Sequence, residues 1–317
     1  MSILEKARED RLTQMLATAL GDTAGQLLLD ESIAEIMLNP DGSLWIDRLG
    51  EGRSYTGFTM SPADAERVIF IVASSIGAAC NRETPLLSAE LPVTGSRFQG
   101  ILPPIVARPV FSIRKKAIKI FTLSDYVSQG ILSSTHACLL REAVLQRRNI
   151  LIVGGTGSGK TTLANAILEL IAQTKDRVVI IEDTQELQCK AADHVCLRTK
   201  DGICSMTDLL RATMRLRPDR IIIGEVRGPE ALTLLKAWNT GHPGGCATVH
   251  ADSAAKGLSR LQQLVQEAGV TNSRDLIAEA INLIVYIEKT STGRLVKELL
   301  RVSGVSDGKY LLKDPGE

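Results

Sequence analysis

An apolar run at residues 150–153 passes directly into Gly154, Gly155, Thr156, Gly157, Ser158, Gly159, Lys160 and Thr161, and from there into apolar residues at helical spacing over 162–171. A strand joined to a helix by so glycine-rich a loop is a unit of an α/β protein, and the loop has a chemistry of its own. Gly154, Gly157 and Gly159 permit backbone angles that turn successive N–H groups into one concavity, and the positive end of the following helix dipole points at the same place. An anion is therefore the expected occupant, with Gly155, Thr156, Ser158 and Thr162 completing the cradle. Lys160 is placed for the β- and γ-phosphates of a nucleotide, and the Thr161 hydroxyl for Mg²⁺.

Downstream, apolar runs alternate with helical patterns. Strands are expected at 178–182, 221–226, 246–250 and 283–288, and helices at 206–215, 229–238 and 254–267. The runs Val178-Val179-Ile180-Ile181 and Ile221-Ile222-Ile223 are apolar on both faces, as central parallel strands covered by helices must be. In such a sheet a ligand lies beyond the carboxyl ends of the strands. Glu182 and Asp183 follow one apolar run and Glu225 follows another. Hydrolysis needs a carboxylate that orients a water, and the metal needs an acid in support. Glu225 is assigned to the water and Glu182 to the metal, with the exchange of roles left open. His242 and His250, two of the four histidines, flank the run 246–249 on a glycine-rich segment and are read as reporters of the γ-phosphate.

The first part of the chain reads differently. It has a helix over 1–20 stopped by Gly21, a hairpin at 33–38 and 43–47 around Asn39-Pro40-Asp41-Gly42, and a helix opened by Ser61-Pro62-Ala63-Asp64. The nearly uncharged stretch 68–80 is too short for a bilayer and reads as a buried helix. Val93, residues 101–106 and 110–113 supply further strands, and Lys115 opens a basic connector over 115–119. The fold class is α/β: a smaller mixed α+β N-terminal domain over residues 1–125, then a nucleotide-binding domain with a wound, largely parallel sheet over 126–317.

With 37 basic and 36 acidic side chains and 3% aromatic residues, the chain lacks the basic, aromatic-rich groove of a helicase or recombinase that grips nucleic acid directly. Its beginning has no secretory pattern and no stretch is long enough to span a membrane, so a cytoplasmic protein is expected. The six cysteines form no Cys-x-x-Cys pair, which leaves ordinary thiols, or a site from the neighbouring Cys189, Cys196 and Cys204. An Asn-Lys-x-Asp segment for reading guanine does not occur, which favours ATP over GTP.

Four segments occur in a characteristic order: the phosphate loop, Ile-Glu-Asp-Thr-Gln-Glu at 181–186, Leu-Arg-Pro-Asp-Arg-Ile-Ile-Ile-Gly-Glu-Val-Arg at 216–227, and Thr-Gly-His-Pro-Gly-Gly at 240–245. In this the chain resembles the secretion and traffic ATPases that drive type II secretion, type IV pili and type IV secretion. In that family they are the Walker A loop, the Asp box, the Walker B segment and the His box. The chain is most similar to the compact ATPases of type IV secretion and conjugative DNA transfer, of the TrbB type, and the likeness extends more loosely to 35–45, 95–98, 103–104 and 111–115. Type II members often carry a four-cysteine insert that this chain lacks.

The resemblance implies a RecA-like P-loop domain, ATP and Mg²⁺ as ligands, a homohexameric ring of two tiers, and partners among the inner-membrane components of a secretion or mating-pair apparatus, met peripherally at the membrane's inner face. It implies that Arg97 and Arg114 reach the phosphates from the N-terminal domain, whose closure and release the segment 115–130 absorbs. Sequence-specific contact with nucleic acid is not implied. Arg211, Arg215, Arg217 and Arg227 stay open between facing a neighbouring subunit and facing water. A pilus assembly or retraction ATPase, or a DNA-binding RecA-like helicase, is the alternative reading.

Overall fold

The computed structural model describes residues 3–49, 51–91, 94–116, 120–200, 202–291 and 293–315. The chain is an α/β protein of two compact units, Met1–Ile118 and Lys119–Glu317. Val93 and residues 117–119 of the expected connector lie outside the described residues.

The first unit carries a six-stranded antiparallel sheet in the order β3-β2-β1-β6-β5-β4. Its strands are β1 (Ile33–Leu38), β2 (Ser43–Arg48), β3 (Gly52–Thr59), β4 (Leu86–Glu90), β5 (Arg97–Ile101) and β6 (Val110–Arg114), with helices α1 (Ile3–Leu29) and α2 (Pro62–Ser75) packed against them. Gly21 does interrupt α1, with φ 74° and ψ 167°, but the helix resumes and runs on to Leu29. α2 starts as its sequence demands: Ser61 accepts a hydrogen bond from the Asp64 N–H, and Pro62 holds the first helical position. It stops at Ser75 rather than continuing to Cys80. The strand expected at 101–106 is instead β5, ending at Ile101, because Pro103 and Pro104 remove the donors a ladder needs. Ile33, Ile36, Leu44, Val68, Ile69, Phe98, Phe111 and Ile113 form the core of this unit.

The second unit is built on an eight-stranded sheet in the order β14-β13-β12-β7-β11-β10-β8-β9. β7 (Ile150–Val153), β8 (Val178–Glu182), β9 (His194–Arg198), β10 (Arg220–Ile223), β11 (Cys246–Val249) and β12 (Leu283–Thr290) run parallel, and β13 (Gly293–Ser306) and β14 (Lys309–Lys313) add an antiparallel ribbon. Every residue of β7, β8, β10 and β11 is buried. Alternation then sorts their side chains between two layers of helices. Ile150, Ile152, Val178 and Ile180 face α3 (Leu123–Ser128), α4 (Ser134–Leu145) and α5 (Lys160–Ile171). Leu151, Val153, Val179 and Ile181 face α6 (Met206–Thr213), α7 (Glu230–Asn239), α8 (Ala254–Glu267) and α9 (Arg274–Ala280). Among the described residues no helix is long and apolar enough to cross a membrane.

The amino edge of this sheet is held by buried polar side chains. Asn149, just before β7, donates to the Ala280 carbonyl at 2.7 Å and accepts from the N–H groups of Gly244 and Gly245 at 2.7 and 3.0 Å. Arg220, 1% exposed, donates to Asp176 at 2.6 Å and to the carbonyls of Gly244 and Val144 at 3.1 and 2.9 Å. Arg147 pairs with the other oxygen of Asp176. A buried guanidinium is tolerable only when its donors are satisfied and its charge is met, and both conditions hold here.

Candidate nucleotide site

The parallel register brings the carboxyl ends of five strands to one edge. Val153 pairs with Val249 and Tyr286, Ile223 with Ala247, and Ile181 with Ile223. The residues that follow those ends therefore meet: the phosphate loop after β7, Glu182 closing β8, Gly224-Glu225 after β10 and His250 after β11.

The phosphate loop is backed by protein on its inner side and open at its crest. Thr156 and Gly157 are exposed, whereas Gly154, Ser158 and Lys160 are buried. A β-carbon on Gly154 would stand 2.4 Å from both the Ile287 carbonyl oxygen and Ser158 Oγ, so no other residue fits. Gly159, at the start of α5, has φ 100°, which other residues adopt only with strain. Ser158 Oγ is buried and has no hydrogen-bond partner among the described residues. A loop whose Gly154 leaves no room for a β-carbon, whose Gly157 and Gly159 stand at positive φ and whose one buried hydroxyl is unsatisfied fits a phosphate group, which would supply the missing acceptor. For Mg²⁺, the Thr161 hydroxyl on the first turn of α5 and the Glu182 carboxylate at the end of β8 are the hard oxygen donors that cation takes.

Lys160 Nζ donates to the carbonyl oxygens of Gly154 and Gly155, both at 2.9 Å, and lies 3.3 Å from the His250 imidazole nitrogens. His250 Nε2 lies in turn 3.0 Å from Glu225 Oε1. The second oxygen of Glu225 accepts from Arg227 at 2.7 Å, and Arg227 also approaches Asp183 at 3.4 Å. Burial pushes the Glu225 carboxyl upward, but Arg227, His250 and Lys160 together outweigh it and hold the group below the usual glutamate value. Glu225 is thus an ionised acceptor at neutral pH. Its backbone is fixed by Thr248, which donates to the Gly224 carbonyl at 2.7 Å, and by Glu230, which accepts from the N–H groups of Arg227 and Gly228 at 2.7 and 2.8 Å.

Glu182 is 4% exposed, and one of its oxygens accepts from the N–H groups of Glu186 and Leu187 at 3.0 and 2.9 Å. It lies against Gly224, where a β-carbon would come within 2.9 Å of Glu182 Cγ. This carboxylate ties down the 183–187 loop while standing next to the strand end that carries Glu225.

His242 is not part of this constellation. The glycine-rich segment 240–245 precedes β11 and so lies at the amino edge of the sheet, where His242 Nδ1 sits 2.8 Å from the Pro218 carbonyl oxygen. His250 follows β11. The two histidines flank the same strand at opposite ends, separated by a fully buried four-residue run of about 13 Å. Arg97 and Arg114, in the first unit, are direct cross-strand partners on β5 and β6. Arg211, Arg215 and Arg217 are exposed, and Arg217 adopts φ 53°. Of Arg227's two alternatives, the structure adds a third: it pairs within its own chain with Glu225. Sequence reasoning gave no role to Arg220, Asn149 or Glu230. The one signal available was that Arg220 opens an apolar run every residue of which had to be buried.

Residues 96–300 match the family described as type II/IV secretion system protein, and the chain belongs to that family. It is 50% identical over 302 residues to the probable conjugal transfer protein TrbB of Sinorhizobium fredii (strain NBRC 101917 / NGR234), covering 95% of this chain and 92% of that protein. It is 35% identical over 300 residues to the type IV secretion system protein PtlH of Bordetella pertussis (strain Tohama I / ATCC BAA-589 / NCTC 13251), covering 82% and 86% respectively. Among solved structures, the pilus retraction motor PilT with bound ADP shares the fold, with a TM-score of 0.63, 21% identity, and coverage of 92% of this chain and 81% of that one.

Proposed function

We propose that this chain is an ATP-hydrolysing motor of a type IV secretion or conjugative DNA-transfer apparatus, with its second unit a RecA-like P-loop domain. The observation that carries the ATPase reading is the chain of contacts from Lys160 through His250 to Glu225 at the carboxyl edge of the parallel sheet. The conjugative assignment is supported by the 50% identity to a conjugal transfer protein over nearly the whole of both chains.

On this reading the amides and Lys160 of the phosphate loop receive the triphosphate, and the lysine exchanges the Gly154 and Gly155 carbonyls for phosphate oxygens. Glu225, ionised and only partly exposed, orients the attacking water and accepts its proton. His250, between the base and the lysine, transmits the presence of a γ-phosphate to Glu225. Thr161, with Glu182 in support, would hold Mg²⁺, which neutralises charge developing on the phosphate oxygens. Arg97 and Arg114 enter as phosphate-directed arginines on the resemblance alone, as do the homohexameric ring and the membrane-associated partners.

The test is phosphate release by the purified chain with ATP and Mg²⁺, together with its Lys160→Ala variant. Turnover in the wild type and its loss in the variant are expected. A wild type that neither binds nor cleaves ATP would overturn the proposal, as would a variant of normal rate.

A further inference from the structure

One cation beside the phosphate loop is unaccounted for by the residues above. Arg294, at the start of β13, reaches back across the β12–β13 ribbon to Gly159. A β-carbon on that glycine would stand 3.0 Å from Arg294 Cδ and 3.3 Å from its Nε. Ile287 of the same ribbon backs the loop at Gly154 and Gly159. The ribbon's register fixes this approach, with Arg294 opposite Lys289 and Gly293 opposite Thr290.

Arg294 is half-buried and, among the described residues, makes no ion pair and no hydrogen bond. Its charge is also felt at the Tyr126 hydroxyl on α3, where burial raises the phenol's pKa and the arginine opposes the rise. A guanidinium that has given up part of its water, with five donors and no carboxylate, suits an anion placed between it and the loop amides. Gly159 is the residue immediately before Lys160, and the amides there face the phosphates nearer the nucleoside.

Building on the nucleotide site proposed above, the geometry points to Arg294 as a further nucleotide-binding residue, its guanidinium pairing with the diphosphate portion common to ADP and ATP. The ribbon β12–β13 is then a wall of the nucleotide site as well as an edge of the sheet. Because ADP and ATP share the contacted group, Arg294 holds substrate and product alike and retains ADP after cleavage.

The experiment is equilibrium titration of the full chain with a fluorescent ADP, with competition by unlabelled ADP and by inorganic pyrophosphate. It compares wild type, Arg294→Met, which keeps the stem against Gly159, and Arg294→Lys, which keeps the charge. The Met variant should bind ADP and pyrophosphate each about tenfold more weakly, and the Lys variant should recover most of the loss. Should the Met variant bind ADP as tightly as wild type, Arg294 is a packing element and the inference fails. It fails too if ADP weakens while pyrophosphate does not, since the contact would then be to base or ribose. Should the Met variant not fold, Arg294→Gln is judged by the same two criteria, and Arg294→Lys must then bind ADP and pyrophosphate more tightly than Arg294→Gln or the inference fails. If the wild type itself takes up no ADP, the nucleotide reading of the whole site falls.

Discussion

His250 Nε2 lies 3.0 Å from Glu225 Oε1 while the same imidazole lies 3.3 Å from Lys160 Nζ, so one ring joins the lysine of the phosphate loop to the acid beyond β10. Removing the ring cuts that connection without touching either end. His250→Ala should retain ATP binding within about threefold and lose about tenfold to a hundredfold in kcat, the range expected when a base loses its orienting partner. Nucleotide titration and phosphate release on one preparation check it; an unchanged kcat would make the histidine a bystander.

Glu225→Gln keeps the shape of the side chain and removes the carboxylate proposed to accept the water's proton. It should bind ATP and hydrolyse it about 10²- to 10³-fold more slowly. Glu182→Gln should loosen the 183–187 loop, because an amide oxygen accepts more weakly from Glu186 and Leu187, and should raise the Mg²⁺ concentration needed for half-maximal rate. Should Glu225→Gln turn over normally while Glu182→Gln is dead, the roles are reversed.

His242 should behave unlike its neighbour in sequence. At the opposite end of β11 it contacts the Pro218 carbonyl, so His242→Ala should leave the ADP dissociation constant of the isolated chain within about twofold of wild type, each factor of two being under half a kcal/mol. A tenfold loss in the same titration would place this residue at the nucleotide after all.

The Asp176–Arg220 pair predicts a pH dependence of stability. Burial raises the Asp176 carboxyl, but hydrogen bonds and charge from Arg220 and Arg147 prevail, so its folded pKa lies below its unfolded value. Such a group contributes stability above the unfolded value, near pH 4, and loses it as pH falls through the folded value. Asp176→Asn strands the Arg220 charge and should cost about 3 kcal/mol at pH 7. The gap in thermal midpoint between variant and wild type should narrow below pH 4. A gap independent of pH would show that shape rather than charge sets the contribution.

Much of this architecture is legible in the residues themselves. The phosphate loop declares its strand, turn and helix, the doubly apolar runs declare central parallel strands, and Ser61-Pro62 declares the start of α2 because capping is local. Edge elements are harder. β9 alternates exposed and half-buried positions over only five residues, and the antiparallel ribbon β13–β14 turns on Asp307-Gly308, both at positive φ, a hairpin signal outside the alternating strand-and-helix pattern. Position along a strand also misleads: 240–245 lies close in sequence to His250, and only the strand direction reveals that it occupies the other edge. The partners of Arg220 and the reach of Arg294 arise from strands paired by the fold, which no local pattern encodes.

Asn149 gathers the amino ends of β7 and β11 and the turn after α9 through six hydrogen bonds, counting the Asn282 side chain that accepts from its N–H at 2.8 Å and the N–H groups of Asn282 and Leu283 that donate to its carbonyl, both at 3.1 Å. The phosphate loop and His250 follow the far tips of those two strands. Replacing this amide with alanine would disturb no reacting group, yet the tips would drift and turnover would collapse. An investigator following rates alone would mistake a slackened frame for a lost catalyst, and a melting curve would tell the two apart.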